Sequence, residues 1–369
     1  LKSNREHERK AAIKNGFLAD PDKPRKLKDA ITPVGTCQDM CSEFERVSRI
    51  YERDVWAPEH VRNRTTSRSK RVPMESRMVK KFRRAAAGID EQLPSDLRPP
   101  LVLQKTVDYL LNSLLSESKS LADVHHFIWD RARAVRNDFS IQQLTKVPDV
   151  RVAIECYERI ARFHIVSMHK LAMPQKPYES YEWFQEREQL DKTLLSLIQY
   201  YDDNRARYRS PNEAEFRAYC IIFQIHAHVP DMEHRIQEWP EDIMWNSRVQ
   251  TAMKLYAAAG TVRNYQGPMR PESTFKTAQQ NWMGFWEIVK SPQVSYLMGC
   301  VAEVYFNQIR ETAMQCIFRT FKQGGATRCR DWTVQDLVPA LGFDTEDEVK
   351  SYIQAHRFQI LTREDGKEY

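Results

Sequence analysis

Phe127-Ile-Trp-Asp-Arg-Ala-Arg-Ala-Val-Arg-Asn-Asp-Phe-Ser-Ile-Gln-Gln143 is the stretch whose reading decides the fold. Ile128, Ala132, Val135 and Phe139 recur at i, i+4, i+7 and i+11, which is one face of an α-helix. The other side carries Asp130, Arg131, Arg133, Arg136 and Asp138. Asp130 and Arg133 stand three apart and can meet on the helix surface. Arginines this closely spaced can also grip acidic groups bidentately, which lysine cannot. From its pattern alone the stretch is a core helix with a solvated, ion-paired outer face.

The same helical spacing recurs on both sides of it. Pro94, Pro99 and Pro100 lead into an apolar run over 101–115, and the anchor helix is expected over 121–146. Pro148 opens a helix with Val152, Cys156, Ile160 and Phe163 in step. Pro174 and Pro177 precede a long helix through Leu190, Leu194, Leu197 and Tyr201. Pro211 restarts the chain at Asn212-Glu-Ala-Glu215, acids in a first turn as the helix dipole favours. Pro240 and Pro271 open two further helices, and Trp282, Trp286, Tyr296 and Tyr305 are expected where the array meets its end module. Eleven glycines among 369 residues is under half the usual share of about 7%. Strand-type alternation is almost absent. The expected fold is all-α: an irregular array of helical hairpins in which each pair buries its face against its neighbours, without a strict 34-residue consensus.

The C-terminal stretch differs. A helix through Phe306, Ile309, Ala313 and Ile317 ends at Gly324-Gly325. Thr333 and Asp336 form a capping box for a second helix that exits at Gly342, and Asp344 or Thr345 starts a third. Phe358 to Thr362 reads as a strand and Asp365-Gly366 as a hairpin turn. Three helices and then a hairpin is the winged-helix order. The expected borders are a basic leader over 1–34, extended apart from a short helix over Glu6–Lys14, a basic helical segment over 35–95, the repeat array over 96–290 and the winged-helix domain over 291–369. Within the second segment, a helix is expected from Pro73, with Met78, Phe82 and Ala85 on one side, and a loop over 62–71.

Charge is unevenly spread. The net value is +6, but residues 1–88 hold 22 Lys+Arg and 12 Asp+Glu, so they carry +10 and the remainder −4. A basic front suits an anionic partner, nucleic acid or an acidic protein face. The basic stretches Arg46–Arg53 and Arg77–Arg84 lie beside Tyr51 and Phe82, and arginine with aromatics suits RNA or acidic protein surfaces. Residues 305–369 hold 9 Lys+Arg and 10 Asp+Glu. Their third helix opens Asp344-Thr-Glu-Asp-Glu348, which repels phosphate where a groove-reading helix approaches it. That end is therefore expected to dock protein. Any nucleic-acid contact there falls to Arg319, Lys322, Arg328 and Arg330.

Catalytic and metal signatures are missing. There is no Gly-x-Gly phosphate or dinucleotide loop, no Gly-x-Ser-x-Gly elbow, no His-Glu-x-x-His and no deaminase pattern. Cys37 and Cys41 lack a completing zinc pair. His226 and His228, two apart, face different sides of a helix, so with Asp231 and His234 they make a poor ligand set. Seven irregularly spaced cysteines suggest reduced thiols. No apolar run is long enough to span a membrane. The chain is expected to be non-enzymatic and to need no cofactor.

Six ordered blocks carry a resemblance. They are Gly35-Thr-Cys-Gln-Asp-Met-Cys-Ser-Glu-Phe-Glu-Arg46, Lys80-Lys-Phe-Arg-Arg-Ala-Ala-Ala-Gly88, Leu97-Arg-Pro-Pro-Leu-Val-Leu-Gln-Lys-Thr-Val-Asp-Tyr-Leu110, Asp130-Arg-Ala-Arg-Ala-Val-Arg-Asn-Asp138, Asp191-Lys-Thr-Leu-Leu195 with Tyr200-Tyr-Asp-Asp203, and Asn212-Glu-Ala-Glu-Phe-Arg-Ala-Tyr219. Together they resemble the suppressor-of-actin/GANP family of mRNA-export scaffolds over roughly 33–320. Ser42 stands where that family usually has proline, which is expected to loosen the turn after Cys41. The resemblance implies TPR/PCI-like helical repeats ending in a winged helix, within the second transcription-and-export complex at the nuclear face of the nuclear pore. It implies pairing with a PCI-domain subunit that has its own winged helix, alongside a small acidic subunit of proteasome-lid type. The two winged helices would form a joint RNA- and DNA-binding platform. Contacts with nuclear pore components would lie outside this chain.

The heterodimer contact is expected on the end module, with Trp332 and Phe358 contributing. An acidic protein partner is expected at Arg46, Arg49, Arg77 and Arg83. The alternative is a PCI-like scaffold of an RNA-processing or proteasome-lid-like assembly with no direct nucleic-acid contact.

Overall fold

The computed structural model describes residues 2–20, 31–62, 71–84, 92–172, 181–225, 232–261, 281–323, 326–327, 331–362 and 366–369. The chain divides into two compact units, Leu1–Ser210 and Pro211–Tyr369. Both are mostly helical, as expected.

The first unit contains α1 (Lys2–Lys14), α2 (Glu43–Tyr51), β1 (His60–Arg62), β2 (Arg71–Pro73) and α3 (Pro100–Asp108). α3 runs through a π-helical stretch, Tyr109–Leu114, into α4 (Leu115–Glu117); then come α5 (Leu121–Gln142), α6 (Val147–Ala172) and α7 (Trp183–Asn204). β1 and β2 pair antiparallel with Val61 opposite Val72. Leu110, Leu114, Val124, Phe127, Ile128 and Phe163 close one core with Val79. The Ser120 hydroxyl caps α5 by accepting from Ala122 N, and Gln143 ends it in the left-handed region at φ 40.

The second unit contains α8 (Glu213–Phe223), α9 (Met232–Gln237), α10 (Glu241–Met244), α11 (Ser247–Thr261), α12 (Trp282–Val289), α13 (Tyr296–Ala302) and α14 (Phe306–Phe321). It ends with β3 (Lys322–Gln323), β4 (Ala326–Thr327), α15 (Val334–Leu341) and α16 (Glu346–Ala355). Thr333 and Thr345 cap α15 and α16, each in a full capping box, with Asp336 and Glu348. A final bridge joins Thr362 to Glu368. Val334, Leu337, Leu341, Val349 and Ile353 close over Ala313 and Ile317. The α12 side contributes Trp286, whose indole N–H donates to the Ala340 carbonyl at 3.1 Å.

Two local expectations fail. No helix starts at Pro73. β2 ends there, a 3-10 turn covers Glu75–Arg77, and residues 78–84 form neither helix nor strand. The reason is a set of acceptors far away in sequence. Val79 N donates to Glu59 at 3.2 Å, Lys80 N to the Met40 carbonyl at 3.0 Å, Lys81 N to Glu45 at 2.7 Å and Phe82 N to Asp130 at 3.2 Å. Four successive amides have tertiary partners, so no i−4 carbonyl is needed. Nor does Ser42 loosen its turn. It caps α2, its hydroxyl accepting from Glu45 N and donating to Asp96. Proline could supply neither bond.

Candidate functional site

The polar side of α5 is buried, which corrects the expectation of a solvated face. Arg131 and Asp138 are inaccessible, and Asp130 and Arg136 are 9% exposed. Charges are excluded from water only where something pairs with them. Most of the partners come from the segment that precedes α3, while Arg136 donates to the Gln189 side chain of α7 at 2.6 Å. Asp138 accepts from Lys80 Nζ at 2.6 Å and from Arg98 Nε at 2.8 Å. Arg131 pairs with Asp130 and, at 3.4 Å, with Glu59. Glu59 also takes Arg49. One helical turn beyond Asp138, Gln142 accepts from Gly35 N at 3.0 Å and donates to the Arg98 carbonyl at 2.9 Å.

Four of the sequence blocks therefore meet in one network. Their chemistry is to hold the front segment in a single register on α5. Ion pairs of this kind gain little net stability over apolar packing, because desolvation offsets attraction. They do penalise any register that leaves a charge alone. Gly35 shows how close the fit is: a Cβ there would sit 2.6 Å from the Leu97 carbonyl oxygen. Gln142 was not singled out from sequence. Its position four residues after Asp138 was the available signal.

A second polar cluster ties α5, α6 and α7 together. His125 Nε2 and His164 Nδ1 donate to the two oxygens of Glu186 at 2.9 and 2.7 Å. Burial pushes the fully buried His164 imidazole below its ordinary value of 6.5. Burial alone would raise the Glu186 carboxyl; His164 and His125 outweigh it and hold the group below its ordinary value of 4.5. Both groups bind protons less readily when folded, so the stability they contribute is complete above about pH 6.5 and declines as pH falls, first through His164 and then through Glu186. Urea midpoints are expected to be flat from pH 8 to pH 7 and to drop by pH 5.5. His164→Gln should flatten that drop; an unchanged slope would place the sensitivity elsewhere.

The expected partner residues fare differently. Arg49 is 1% exposed and committed to Glu59, Glu45 and the carbonyls of Asp54 and Val79, which makes it a core residue of the first unit. Arg46 is half-buried, bound to Asp39 at 2.7 Å and Glu75 at 3.4 Å. Arg77 pairs with Glu117 at 3.0 Å with a third of its side chain exposed. Arg83 is exposed. Trp332 and Phe358 are half-buried against the end cluster, and Phe358 meets the exposed Phe318 edge to face at 6.4 Å. Arg319 is exposed on α14, while Lys322 has only its backbone described, in β3. Arg328, Arg330, His226, His228 and Asp231 lie outside the described residues. Cys37 and Cys41 are buried, and burial pushes both thiols up, so neither is a ready thiolate.

The first unit also holds a cavity of about 600 Å³, walled by α1, residues 31–33, residues 80–84 and the Ala134–Ile141 side of α5. Arg5 is among its lining residues. It reaches Asp96 at 2.9 Å and lies 4.2 Å from the Phe44 ring centroid.

The model of the SAC3/GANP family matches residues 40–362. The chain belongs to the SAC3/GANP family. It is 38% identical over 362 residues to SAC3 family protein 1 of Schizosaccharomyces pombe, covering 98% of this chain and 33% of that protein. It is 29% identical to SAC3 family protein B of Arabidopsis thaliana, over 90% of this chain and 18% of that protein. Protein xmas of Drosophila melanogaster is 25% identical over 88% of this chain and 14% of its own length. The chain thus spans a third or less of these SAC3/GANP relatives. No helix among the described residues is long and apolar enough to cross a membrane.

Proposed function

We propose that this SAC3/GANP chain is a non-catalytic scaffold segment of a nuclear complex that couples transcription to mRNA export at the nuclear face of the pore. On this reading residues 96–290 are an irregular TPR/PCI-like array. Residues 291–369 are a winged-helix module that pairs with a PCI-domain subunit, beside a small acidic subunit, to make a nucleic-acid platform. The observation that carries it is the family's most specific charged block, Asp130–Asp138, turned inward and largely spent on holding the chain's own front segment. Chemistry spent on internal registry suits a frame that positions other molecules.

On the end module, exposed Arg319 stands beside exposed Phe318 on α14, and a cation next to an aromatic suits RNA. Reversing Arg319, Lys322, Arg328 and Arg330 to Glu in the assembled heterodimer should weaken single-stranded RNA binding by at least about tenfold and reduce its salt dependence. Equal affinity across the salt series would remove the patch.

A second reading has its own support. α16 opens with exposed Glu346, Asp347 and Glu348. A negative first turn favours protein docking over phosphate, as in a PCI-like scaffold of an RNA-processing or proteasome-lid-like assembly. A purified complex that fails to shift single-stranded RNA decides for it.

A further inference from the structure

The cavity of the first unit has the parts of a nucleotide site. Phe44 and Phe82 both line it, and each ring is braced by a guanidinium. Arg5 lies 4.2 Å from the Phe44 centroid and Arg133 4.0 Å from that of Phe82. A braced ring is held in place before a ligand arrives, so less ordering entropy is lost on binding. Of the wall's cations, Arg5 is also committed to Asp96, Lys80 to Asp138 and Lys81 to Asp54.

Arg83 and Arg84 are not. Both are exposed, both line the cavity, and among the described residues neither has an ion-pair partner. Asn137 lines it too, and among the described residues its amide makes no hydrogen bond. Such an amide can read the donor and acceptor edge of a base. A volume of about 600 Å³ lies in the range that holds small ligands of one or two rings.

We propose that this cavity binds single-stranded RNA, with bases against Phe44 and Phe82, an edge contact from Asn137, and phosphates on Arg83 and Arg84. Stacking surfaces flanked by arginine are how unpaired bases are held. An acidic peptide would satisfy the two arginines but leave the rings and the amide unused. The site belongs to the first unit and does not depend on the platform proposed for residues 291–369.

The test uses the full 369-residue chain without a partner subunit and a labelled oligouridine of about 15 nucleotides, a length that covers one such site. The double variant Arg83→Glu/Arg84→Glu should weaken binding by at least about tenfold and lower the salt slope by one to two. Both residues are exposed, so its thermal melt should match that of the parent chain. Asn137→Ala should weaken binding by several-fold, and Arg319→Glu should leave it unchanged. Ultraviolet cross-links should fall in peptides containing Phe44 or Phe82. The proposal is overturned if both cavity variants bind as the parent does, if cross-links lie only in residues 211–369, or if polyglutamate displaces the oligouridine as well as RNA does. Loss of RNA binding in the Arg319 variant alone would support the end-module platform and reject this cavity.

Discussion

Asp138→Ala should destabilise the first unit by about 3–5 kcal/mol, the cost of leaving buried charge unpaired. The side chain is inaccessible, and it is the carboxylate acceptor for two cations, Lys80 at 2.6 Å and Arg98 at 2.8 Å. Arg98 is itself inaccessible and Lys80 is 7% exposed. Neither cation can turn to water without dragging its backbone away from α5. The Lys80 ammonium would keep the Asp96 carbonyl and the Gln92 amide oxygen, but no carboxylate. Urea unfolding should show the loss. Hydrogen exchange should show where it begins: the amides of residues 79–82 should exchange early, since their acceptors lie on the elements that this carboxylate holds together. Asp138→Asn keeps hydrogen bonds without charge and should cost less. A loss under about 1 kcal/mol for Asp138→Ala would mean that the network is not what keeps the front segment in place.

Trp286→Ala should cost a similar amount in the second unit, about 3–5 kcal/mol, by cavity formation in a packed interior. The indole is 2% exposed. It meets Phe306 edge to face at 4.9 Å, and its N–H satisfies the Ala340 carbonyl at the end of α15. Gly342 lies against its face, where a Cβ would come within 2.6 Å of the ring. At φ +64 that glycine also occupies the left-handed region that other residues adopt at a cost. Truncation would therefore empty the space between α12, α14 and α15 and orphan a carbonyl. Trp286→Phe should restore part of the packing but not the hydrogen bond. Exchange measured over residues 281–362 should rise in the alanine variant. Unchanged protection there would show that α15 and α16 are held by their own cluster.

Much of the secondary structure was legible because it depends on residues within one turn of each other. Thr333 with Asp336 and Thr345 with Glu348 are capping boxes in the sequence and in the fold. The glycine expected to end α15, Gly342, does so at positive φ. The period of Ile128, Ala132, Val135 and Phe139 is enough to predict α5, and all four are buried.

The charged side of that helix was not legible, nor was the non-helical path of residues 78–84. Charge runs on helices usually face water, and Met78, Phe82 and Ala85 do fall at helical spacing. Both expectations failed for the same reason. The carboxylates of Glu45, Glu59 and Asp130 stand well apart in sequence from the amides that they bind, and no local pattern encodes that meeting. The Phe44–Phe82 cavity is equally non-local. By itself the sequence determined where most of the helices form and which of their faces are apolar, since those follow from period, proline and caps. Only the tertiary structure decided which charges are spent inside and which remain outside, because a side chain's exposure depends on whatever distant segment comes to lie over it.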